Sequence, residues 1–194
     1  MLFAIGREMS FPHLKADIEA APIVLEGEYK FRAFSAGERG TNISPELSRE
    51  VRDGLLEAVM SFCLVDEIDS IVSIHVTGAM WALSVAIKLN KPLKLFTTEP
   101  NGTAEQYSFT QKRPYLPRLV YTPDLKQVGQ CIIIDDVLNR GSTIIQMKTE
   151  IEKAGGKVLG AVCVIDKLAS AKTLTEKFGI PVIALECVPE QSRV

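Results

Sequence analysis

The sequence contains few of the features that mark several common classes of protein. It has no apolar run of the roughly 18 residues that a membrane-spanning helix needs, and its start shows no basic stretch followed by a long apolar run. Only two histidines are present, and the four cysteines form no CxxC pair. A zinc site and a disulfide framework are therefore disfavoured. We expect a cytoplasmic protein whose four cysteines are small buried thiols: Cys63, Cys131, Cys163 and Cys187.

The chain also has little excess charge of either sign. Its 24 acidic and 22 basic residues give a formal net charge of −2, which provides no general attraction to nucleic acid or to an anionic membrane. Any anionic ligand therefore has to be held by a local site. A length of 194 residues, of which 46% are hydrophobic, suits one globular domain with a full core, residues 1–194.

From Ser70 onward, apolar segments of strand length alternate with amphipathic segments of helix length. This alternation predicts an α/β fold, in which a five-stranded, mainly parallel sheet is flanked by helices. The expected strands are residues 70–76, 93–98, 130–136, 157–166 and 181–186, and the expected helices between them lie near residues 79–90, 142–154 and 169–178.

The part of the chain before residue 70 is expected to hold three further elements. Residues 14–20 and 45–62 have helical patterns, and residues 23–34 have the pattern of a strand. Ser44 suits the N-cap of the second helix, and Pro45 suits its first position.

Residues 99–129 interrupt the alternation of strands and helices. They contain several prolines and glycines and no helical pattern, with short β-like pieces only at residues 106–110 and 118–122. Segments of this length without a helix are usually lids or binding loops in compact domains. We therefore expect residues 99–129 to form a flexible lid.

One strand of the predicted sheet leads into residues that suit a sugar phosphate. In IIIDDVLNRGST, residues 132–143, a buried strand runs into Asp135 and Asp136, and a short loop then leads into a helix. Ligands bind at the carboxyl ends of strands in open α/β sheets. The carboxylates can accept hydrogen bonds from ribose hydroxyls, and the N–H groups at the helix start can bind a phosphate. The residues of this phosphate loop are Asn139, Arg140, Gly141, Ser142 and Thr143.

Two other interpretations fit an acidic pair at the end of a strand. A receiver domain binds magnesium with such a pair, but it carries the pair on its first strand and a phosphoacceptor aspartate two strands later. Here the pair lies on the third core strand, and no aspartate follows Asp166. An acidic pair can also simply cap a loop. The phosphate loop that follows the pair directly favours a ligand site.

The same segment resembles the motif with which type I phosphoribosyltransferases bind phosphoribosyl pyrophosphate (PRPP). That motif has four apolar residues, two acids and a loop that usually ends Thr-Gly-Gly-Thr. Asp135, Asp136, Gly141 and Thr143 match it. The departures from it are Asn139, Arg140 and Ser142.

The N-terminal part is similar to the start of archaeal purine phosphoribosyltransferases related to adenine and hypoxanthine/guanine enzymes. The segments that carry this similarity are LKADIEAAPIVLEGEYKFRAFSAG and SPELSREVRDGL. The two resemblances together imply the type I phosphoribosyltransferase fold, with a small N-terminal hood at about residues 1–44 and a core at about residues 45–194. In the purine enzymes the hood covers the base. Three aromatic residues there can stack on a base, although packing in the core is the commoner fate: Tyr29, Phe31 and Phe34.

The resemblance also implies a second ligand loop, which binds pyrophosphate through backbone N–H groups after the first core strand. The residues in that position are Thr77, Gly78, Ala79 and Met80, preceded by Val76. His75 and Trp81 flank the loop, and for both a structural role is the commoner one. After the second core strand, relatives usually present basic residues to the pyrophosphate. This chain has Thr97, Thr98, Glu99 and Pro100 there, and the candidates to replace that charge are Lys112, Arg113 and Arg118.

The activity that the resemblance implies is transfer of a 5-phosphoribosyl group from PRPP to a nucleobase, with a purine as the favoured acceptor and pyrophosphate as the other product. Asp135 and Asp136 would be the catalytic residues. Magnesium would be the cofactor, held mainly by the ligand, with Asp135, Asp136 and Asp166 as candidate protein ligands. The alternative interpretation of Asp166 and Lys167 is that they form a solvated strand end without a ligand. The implied assembly is a homodimer without nucleic acid or membrane partners.

Two alternatives to a purine enzyme remain open at the level of sequence. One is an orotate phosphoribosyltransferase. The other is a non-catalytic regulator that senses PRPP or a nucleotide, which the altered phosphate loop and the missing basic residues favour. The absence of a recognisable helix-turn-helix and of a basic surplus counts against a DNA-binding regulator.

Overall fold

The computed structural model describes residues 10–26, 29–37, 42–74, 77–98, 108–111 and 118–188. Its helices and strands, in chain order, are α1 (Pro12–Ala20), β1 (Ile23–Glu26), β2 (Tyr29–Arg32), α2 (Pro45–Met60), β3 (Ser70–Ile74), α3 (Thr77–Leu89), β4 (Leu93–Phe96), β5 (Ser108–Gln111), β6 (Arg118–Tyr121), β7 (Gln130–Leu138), α4 (Ser142–Lys153), β8 (Lys157–Asp166), α5 (Ala171–Phe178) and β9 (Val182–Cys187).

The central sheet has five strands in the order β4-β3-β7-β8-β9, and every neighbouring pair is parallel. The predicted α/β fold is therefore confirmed. A helix returns the chain after three of the strands, α3 after β3, α4 after β7 and α5 after β8, as parallel neighbours require. The chain between β4 and β7 contains the strands β5 and β6. Ile132 and Ile134 of β7 pack into a core with α1, α2 and α3, whereas Ile133 packs into a second core with α4 and α5. Helices thus cover both faces, and β7 lies in the middle of the sheet.

The expected single strand at residues 23–34 was wrong. The structure has an antiparallel hairpin, in which Ile23 pairs with Arg32 and Glu26 pairs with Tyr29. Gly27 was the available signal, because a glycine between two short β-like segments is typical of a two-residue hairpin turn. Residues 27 and 28 themselves lie outside the described residues.

The segment expected to form a lid is only partly described. β5 and β6 pair as an antiparallel hairpin, and Thr97 makes an isolated antiparallel bridge with Tyr121. Beyond this hairpin, Leu125 and Val128 are buried in the second core, and so is Val120. These three side chains therefore belong to the core, and the flexible lid at residues 99–129 stays a prediction. Residues 99–107 and 112–117, with Lys112 and Arg113, lie outside the described residues.

The cysteines are only partly as expected. None of the four forms a disulfide, and Cys131 and Cys163 are buried, but Cys187 is exposed and Cys63 is partly exposed. Burial raises the pKa of the Cys131 thiol to about 12, so this thiol is neutral at physiological pH. None of the described helices is long and apolar enough to cross a membrane.

Gly54 offers a test of packing between α2 and its neighbours. A Cβ atom there would lie 2.5 Å from Cε1 of Phe11 and 3.0 Å from Cδ1 of Leu185. Alanine is favoured over glycine in a helix by roughly 0.5–1 kcal/mol, but overpacking typically costs about 1–3 kcal/mol. We expect Gly54→Ala to lower the free energy of unfolding by about 1–2 kcal/mol in urea denaturation.

The matched control is Ser48→Ala on the exposed side of the same helix. This change improves helix propensity without adding a contact, so the free energy of unfolding should stay the same or rise slightly. A Gly54→Ala protein as stable as the Ser48→Ala protein would mean that α2 is free to move away from Phe11 and Leu185.

Candidate active site

Three segments predicted to bind a ligand meet at the carboxyl edge of the sheet. The start of α3 follows β3, Asp135 and Asp136 lie near the end of β7, and residues 139–143 connect β7 to α4. Because β3 and β7 are neighbours, the first two segments are brought together although they lie far apart in sequence. This is the position in which open α/β sheets bind ligands.

The two carboxylates lie inside β7, whereas the strand was expected to end at Asp136. β7 continues through them to Leu138, and Asp135 and Asp136 are only 6% and 8% exposed. Oδ1 of Asp135 accepts a hydrogen bond from the backbone N–H of Asp136 (3.0 Å), and Oδ1 of Asp136 accepts one from that of Val137 (2.9 Å). These bonds hold one oxygen of each carboxylate in place.

The predicted pyrophosphate loop is the first turn of α3 rather than a separate turn, because α3 begins at Thr77. Gly78 lies directly against the carboxylate pair: a Cβ atom there would be 2.8 Å from Oδ1 of Asp135 and 3.0 Å from Oγ of Ser73. That hydroxyl is itself fixed, since it donates to the carbonyl oxygen of Ile134 (2.6 Å). Gly78 therefore permits the start of α3, with its N–H groups, to approach Asp135. His75 and Val76 lie outside the described residues.

The phosphate loop has the backbone that its sequence suggested. Gly141 is the N-cap of α4 with φ of 72°, a left-handed conformation that favours glycine, and it has no side chain to cap the helix. A Cβ atom at Gly141 would also collide with Cδ1 of Leu174 in α5. Asn139, Arg140 and Ser142 are exposed, and Thr143 is half-buried. The N–H groups of the first turn of α4 thus lie beside a loop with polar side chains.

Asp166 does not form the solvated strand end that was one interpretation of it. It is only 2% exposed, and its two carboxylate oxygens accept hydrogen bonds from the backbone N–H groups of Leu168 (3.1 Å) and Ala171 (2.8 Å). The carboxylate therefore caps the loop between β8 and α5. Its role as a magnesium ligand stays a prediction.

The donor atoms of the described residues fit a magnesium ion that is held mainly by its ligand. In the described part of the chain, no group of three or more histidine, cysteine, aspartate or glutamate side chains is arranged to hold a metal. Asp135 and Asp136 still supply the hard carboxylate oxygens that magnesium prefers, and magnesium commonly binds one or two carboxylates together with substrate phosphates.

A turn at residues 34–37 also reaches this edge of the sheet, and the sequence reading did not identify it. Nε1 of Trp81 in α3 donates to the carbonyl oxygen of Ala36 (2.8 Å), and a Cβ atom at Gly37 would lie 2.6 Å from Cγ2 of Val137. Phe34 is buried, and the Lys167 ammonium lies 5.3 Å from the centroid of its ring. Trp81 therefore has the expected packing role, and Phe34 belongs to the core. The side chains of Tyr29 and Phe31 lie outside the description.

Thr97 and Thr98, the described residues that follow β4, carry no basic group. Thr97 exchanges two backbone hydrogen bonds with Tyr121, at 3.0 and 2.7 Å, so this position is used to attach the β5–β6 hairpin. Glu99 and Pro100 lie outside the described residues. Arg118 begins β6, but its side chain is not described.

One edge of the parallel sheet thus carries a carboxylate pair and two helix starts, and comparison with known proteins defines the family. Residues 42–182 match the model of the phosphoribosyl transferase domain. The chain belongs to this family, and the prediction of a PRPP-dependent phosphoribosyltransferase is confirmed at that level.

The similarity to several known proteins extends over about nine tenths of the chain. A hypoxanthine/guanine phosphoribosyltransferase of Aciduliprofundum boonei is 24% identical over 169 residues, which are 87% of this chain and 89% of that protein. Adenine phosphoribosyltransferase of Rhodothermus marinus has a similar structure, with a TM-score of 0.70, 21% identity, and coverage of 90% of this chain and 97% of that one. Orotate phosphoribosyltransferase of Aeropyrum pernix follows with a TM-score of 0.60, 18% identity and 87% of each chain. These structural likenesses show the type I fold.

Gly141 provides a test of whether the phosphate loop depends on its packing against α5. We expect Gly141→Ala to destabilise the protein and to weaken binding of ribose 5-phosphate, because the added Cβ meets Leu174 and displaces the start of α4. Urea denaturation measures the stability, and calorimetric titration measures the binding.

Gly179→Ala is the matched control, since Gly179 has nearly the same φ (66°) at the C-cap of α5 but nothing within 4 Å of an added Cβ. In Gly179→Ala, only the left-handed backbone conformation of an alanine should lower the free energy of unfolding, by about 1–2 kcal/mol. Ligand binding should stay unchanged. Adding Leu174→Ala to Gly141→Ala should recover part of the lost affinity. If Gly141→Ala and Gly179→Ala behave alike, the contact with Leu174 does not position the loop.

Proposed function

We propose that the chain transfers a 5-phosphoribosyl group from PRPP to a purine base and releases pyrophosphate. PRPP carries a phosphate at one end of its ribose and a pyrophosphate at the other, so it needs two anion receptors with ribose-binding groups between them. The observation that carries the proposal is the contact of Gly78, at the start of α3, with Asp135. This contact sets the start of α3 beside the carboxylates. The phosphate loop leads from β7, which carries the carboxylates, to the start of α4, the second anion receptor.

Each of these groups has a role in displacement at the anomeric carbon. A base nitrogen forms a bond to that carbon while the bond to the pyrophosphate oxygen breaks, and the base loses the proton on that nitrogen. Asp135 and Asp136 accept hydrogen bonds from the ribose hydroxyls and favour the positive charge that develops on the sugar. The N–H groups of α3 orient pyrophosphate, and those of the phosphate loop hold the 5-phosphate. Magnesium would neutralise charge on the departing pyrophosphate when it is bound there.

The purine acceptor is the finer part of the proposal. It is supported by the similarity of residues 14–37 to the purine enzymes and by the names of the relatives, which are hypoxanthine/guanine and adenine phosphoribosyltransferases. A homodimer, which rests on the resemblance to the family, and a cytoplasmic location, which rests on the sequence features described above, also belong to the proposal. Orotate is the alternative acceptor, because an orotate enzyme shares the fold.

A non-catalytic sensor of PRPP or nucleotide is the second candidate function. It is favoured by Asn139, Arg140 and Ser142 in the phosphate loop and by the use of Thr97 to attach the β5–β6 hairpin. Pyrophosphate release separates the candidates when it is measured with PRPP, magnesium and either adenine, hypoxanthine, guanine or orotate. Pyrophosphate release with a purine but not with orotate supports our proposal. Release with orotate but not with a purine indicates an orotate phosphoribosyltransferase. Binding of PRPP without release with any base indicates the sensor.

The carboxylate pair is tested by Asp135→Asn together with Asp136→Asn. An asparagine retains an oxygen that can accept the backbone bonds of Asp136 and Val137, so the fold should persist. Loss of two charged acceptors for the ribose hydroxyls should weaken PRPP binding by about tenfold or more in calorimetric titration. Unchanged affinity in the folded double variant would remove the central assignment.

Asp166→Asn is the matched control at the end of the neighbouring strand. Its carboxylate accepts two backbone N–H groups, and an amide oxygen paired with an NH2 group can satisfy only one of them. We therefore expect lower stability with unchanged PRPP affinity. If Asp166→Asn instead weakens PRPP binding only when magnesium is present, Asp166 is a magnesium ligand.

Arg140 is the clearest departure within the phosphate loop, and it is exposed. If its guanidinium binds the 5-phosphate, Arg140→Thr should weaken both PRPP and the nucleotide product by about tenfold or more, while pyrophosphate affinity stays nearly unchanged. Calorimetric titration of the three ligands measures this. Lys172→Thr, which removes an exposed cation from α5, is the control and should affect none of them. Equal losses for all three ligands in the Arg140 variant would indicate a nonlocal electrostatic effect, and no loss would place its side chain in solvent.

A further inference from the structure

The side of the ribose on which the base must lie follows from the strand order, if the proposed function holds. The leaving pyrophosphate and the attacking base occupy opposite sides of the anomeric carbon in a displacement. The α3 start lies on the β3 side of β7, and β8 is the neighbour on the other side. The base is therefore expected above the ends of β7 and β8.

Residues 34–37 form the wall at this place. Gly37 packs on Val137 just beyond the carboxylate pair, and Lys167, which follows β8, lies over the ring of Phe34. The N–H of Gly37 donates to the carbonyl oxygen of Phe34 (3.2 Å), which closes a tight turn. We use the name base-side turn for residues 34–37.

Asp17 of α1 holds the base-side turn from outside. One carboxylate oxygen accepts a hydrogen bond from the backbone N–H of Ser35 (3.0 Å), and the other accepts one from that of Ala36 (2.9 Å). Charge-assisted bonds of this kind are shorter and stronger than those between neutral groups. The Trp81 bond to the carbonyl oxygen of Ala36 holds the same residue from the opposite side. The turn is thus fixed by polar contacts from two helices.

The helix that carries Asp17 is itself anchored. Leu14 and Ile18 of α1 are buried in the core. The carboxylate of Glu50, from α2, accepts hydrogen bonds from the backbone N–H groups of His13 (3.2 Å) and Leu14 (2.8 Å). The position of Asp17 is therefore set by the domain core rather than by the turn that it holds.

We propose that Asp17 is a positioning residue for the nucleobase, acting through the base-side turn. The identity of the ligand rests on the proposed function. Asp17 itself lies about 20 residues before the base-side turn in the sequence, outside the segments predicted to bind a ligand. By holding two consecutive N–H groups, Asp17 keeps the turn against Val137 and Lys167 before the base arrives. A wall that is already ordered loses less conformational entropy when the ligand binds.

The test compares ligands with and without a base. Ribose 5-phosphate and a purine nucleoside 5′-monophosphate share the sugar and phosphate and differ by the base. In calorimetric titration, Asp17→Ala should weaken the nucleotide by about tenfold or more and change ribose 5-phosphate by less than about twofold. Asp17→Asn retains one acceptor oxygen and should give an intermediate loss, and it serves as the second variant if Asp17→Ala is unstable. In the enzyme assay, KM for the base should rise while KM for PRPP stays constant.

Glu50→Ala is the matched control, because it removes the same kind of carboxylate from two consecutive N–H groups of the same N-terminal region without touching the turn. It should lower thermal stability and leave the ratio of the two affinities unchanged, because the buried side chains of Leu14 and Ile18 still hold α1 in the core. If Glu50→Ala lowers nucleotide affinity as much as Asp17→Ala does, general loosening of α1 explains the effect and the proposal is wrong.

The outcome for Asp17 is separate from the outcome for the activity. A wild-type protein that prefers the nucleotide over ribose 5-phosphate but releases no pyrophosphate would refute the proposed function, while the affinity ratio of the Asp17 variants would still decide its role. Equal wild-type affinity for the two ligands would show that the base has no site at the turn. Equal losses of both ligands in the Asp17 variants would also overturn the proposal.

Discussion

The burial of β7 between two layers of helices is the constraint on which the rest of the structure depends. Three consecutive isoleucines, at positions 132–134, are fully buried and pack into cores on both faces of the sheet. Fully burying such a side chain contributes roughly 1.5–3 kcal/mol. With β7 held in this way, its neighbours β3 and β8 are placed on either side, and the helix starts and loops that follow the three strands meet at one edge.

The cost of this arrangement is that charged groups lie at the end of a buried strand. Asp135, Asp136 and Asp166 surround Cys163, and burial followed by the charges of these carboxylates raises the pKa of that thiol well above its ordinary value. The thiol stays neutral and adds no further negative charge. A carboxylate-rich strand end favours positive charge beside it, which is the character of the ribose in the proposed transition state and of a magnesium ion.

The wall of the proposed base site is held by polar contacts in addition to those of the core. Phe34 and Ala36 are buried in the core with the sheet and the helices. The backbone N–H groups of Ser35 and Ala36 also donate to the carboxylate of Asp17, and Nε1 of Trp81 donates to the carbonyl oxygen of Ala36. Hydrogen bonds are directional, so they define the orientation of the turn. The similarity to the purine enzymes concerns this same N-terminal part of the chain.

Sequence alone determined the α/β class, the five core strands, the helices between them and the phosphate loop, because hydrophobic periodicity and a local motif encode them within short windows. It erred where local signals compete, as in the hairpin of β1 and β2 and in the end of β7, which runs past Asp136 to Leu138. Only the tertiary structure decided that Gly78 touches Asp135, that Asp166 caps its own loop, and that Asp17 holds residues 35 and 36. The first and last of these contacts join elements that lie apart in the chain. The contacts of Asp166 and Asp17 use backbone N–H groups, which every residue except proline possesses. A carboxylate bound to a backbone N–H leaves no pattern in the sequence of its partner, so such contacts become visible only when the folded chain brings them together.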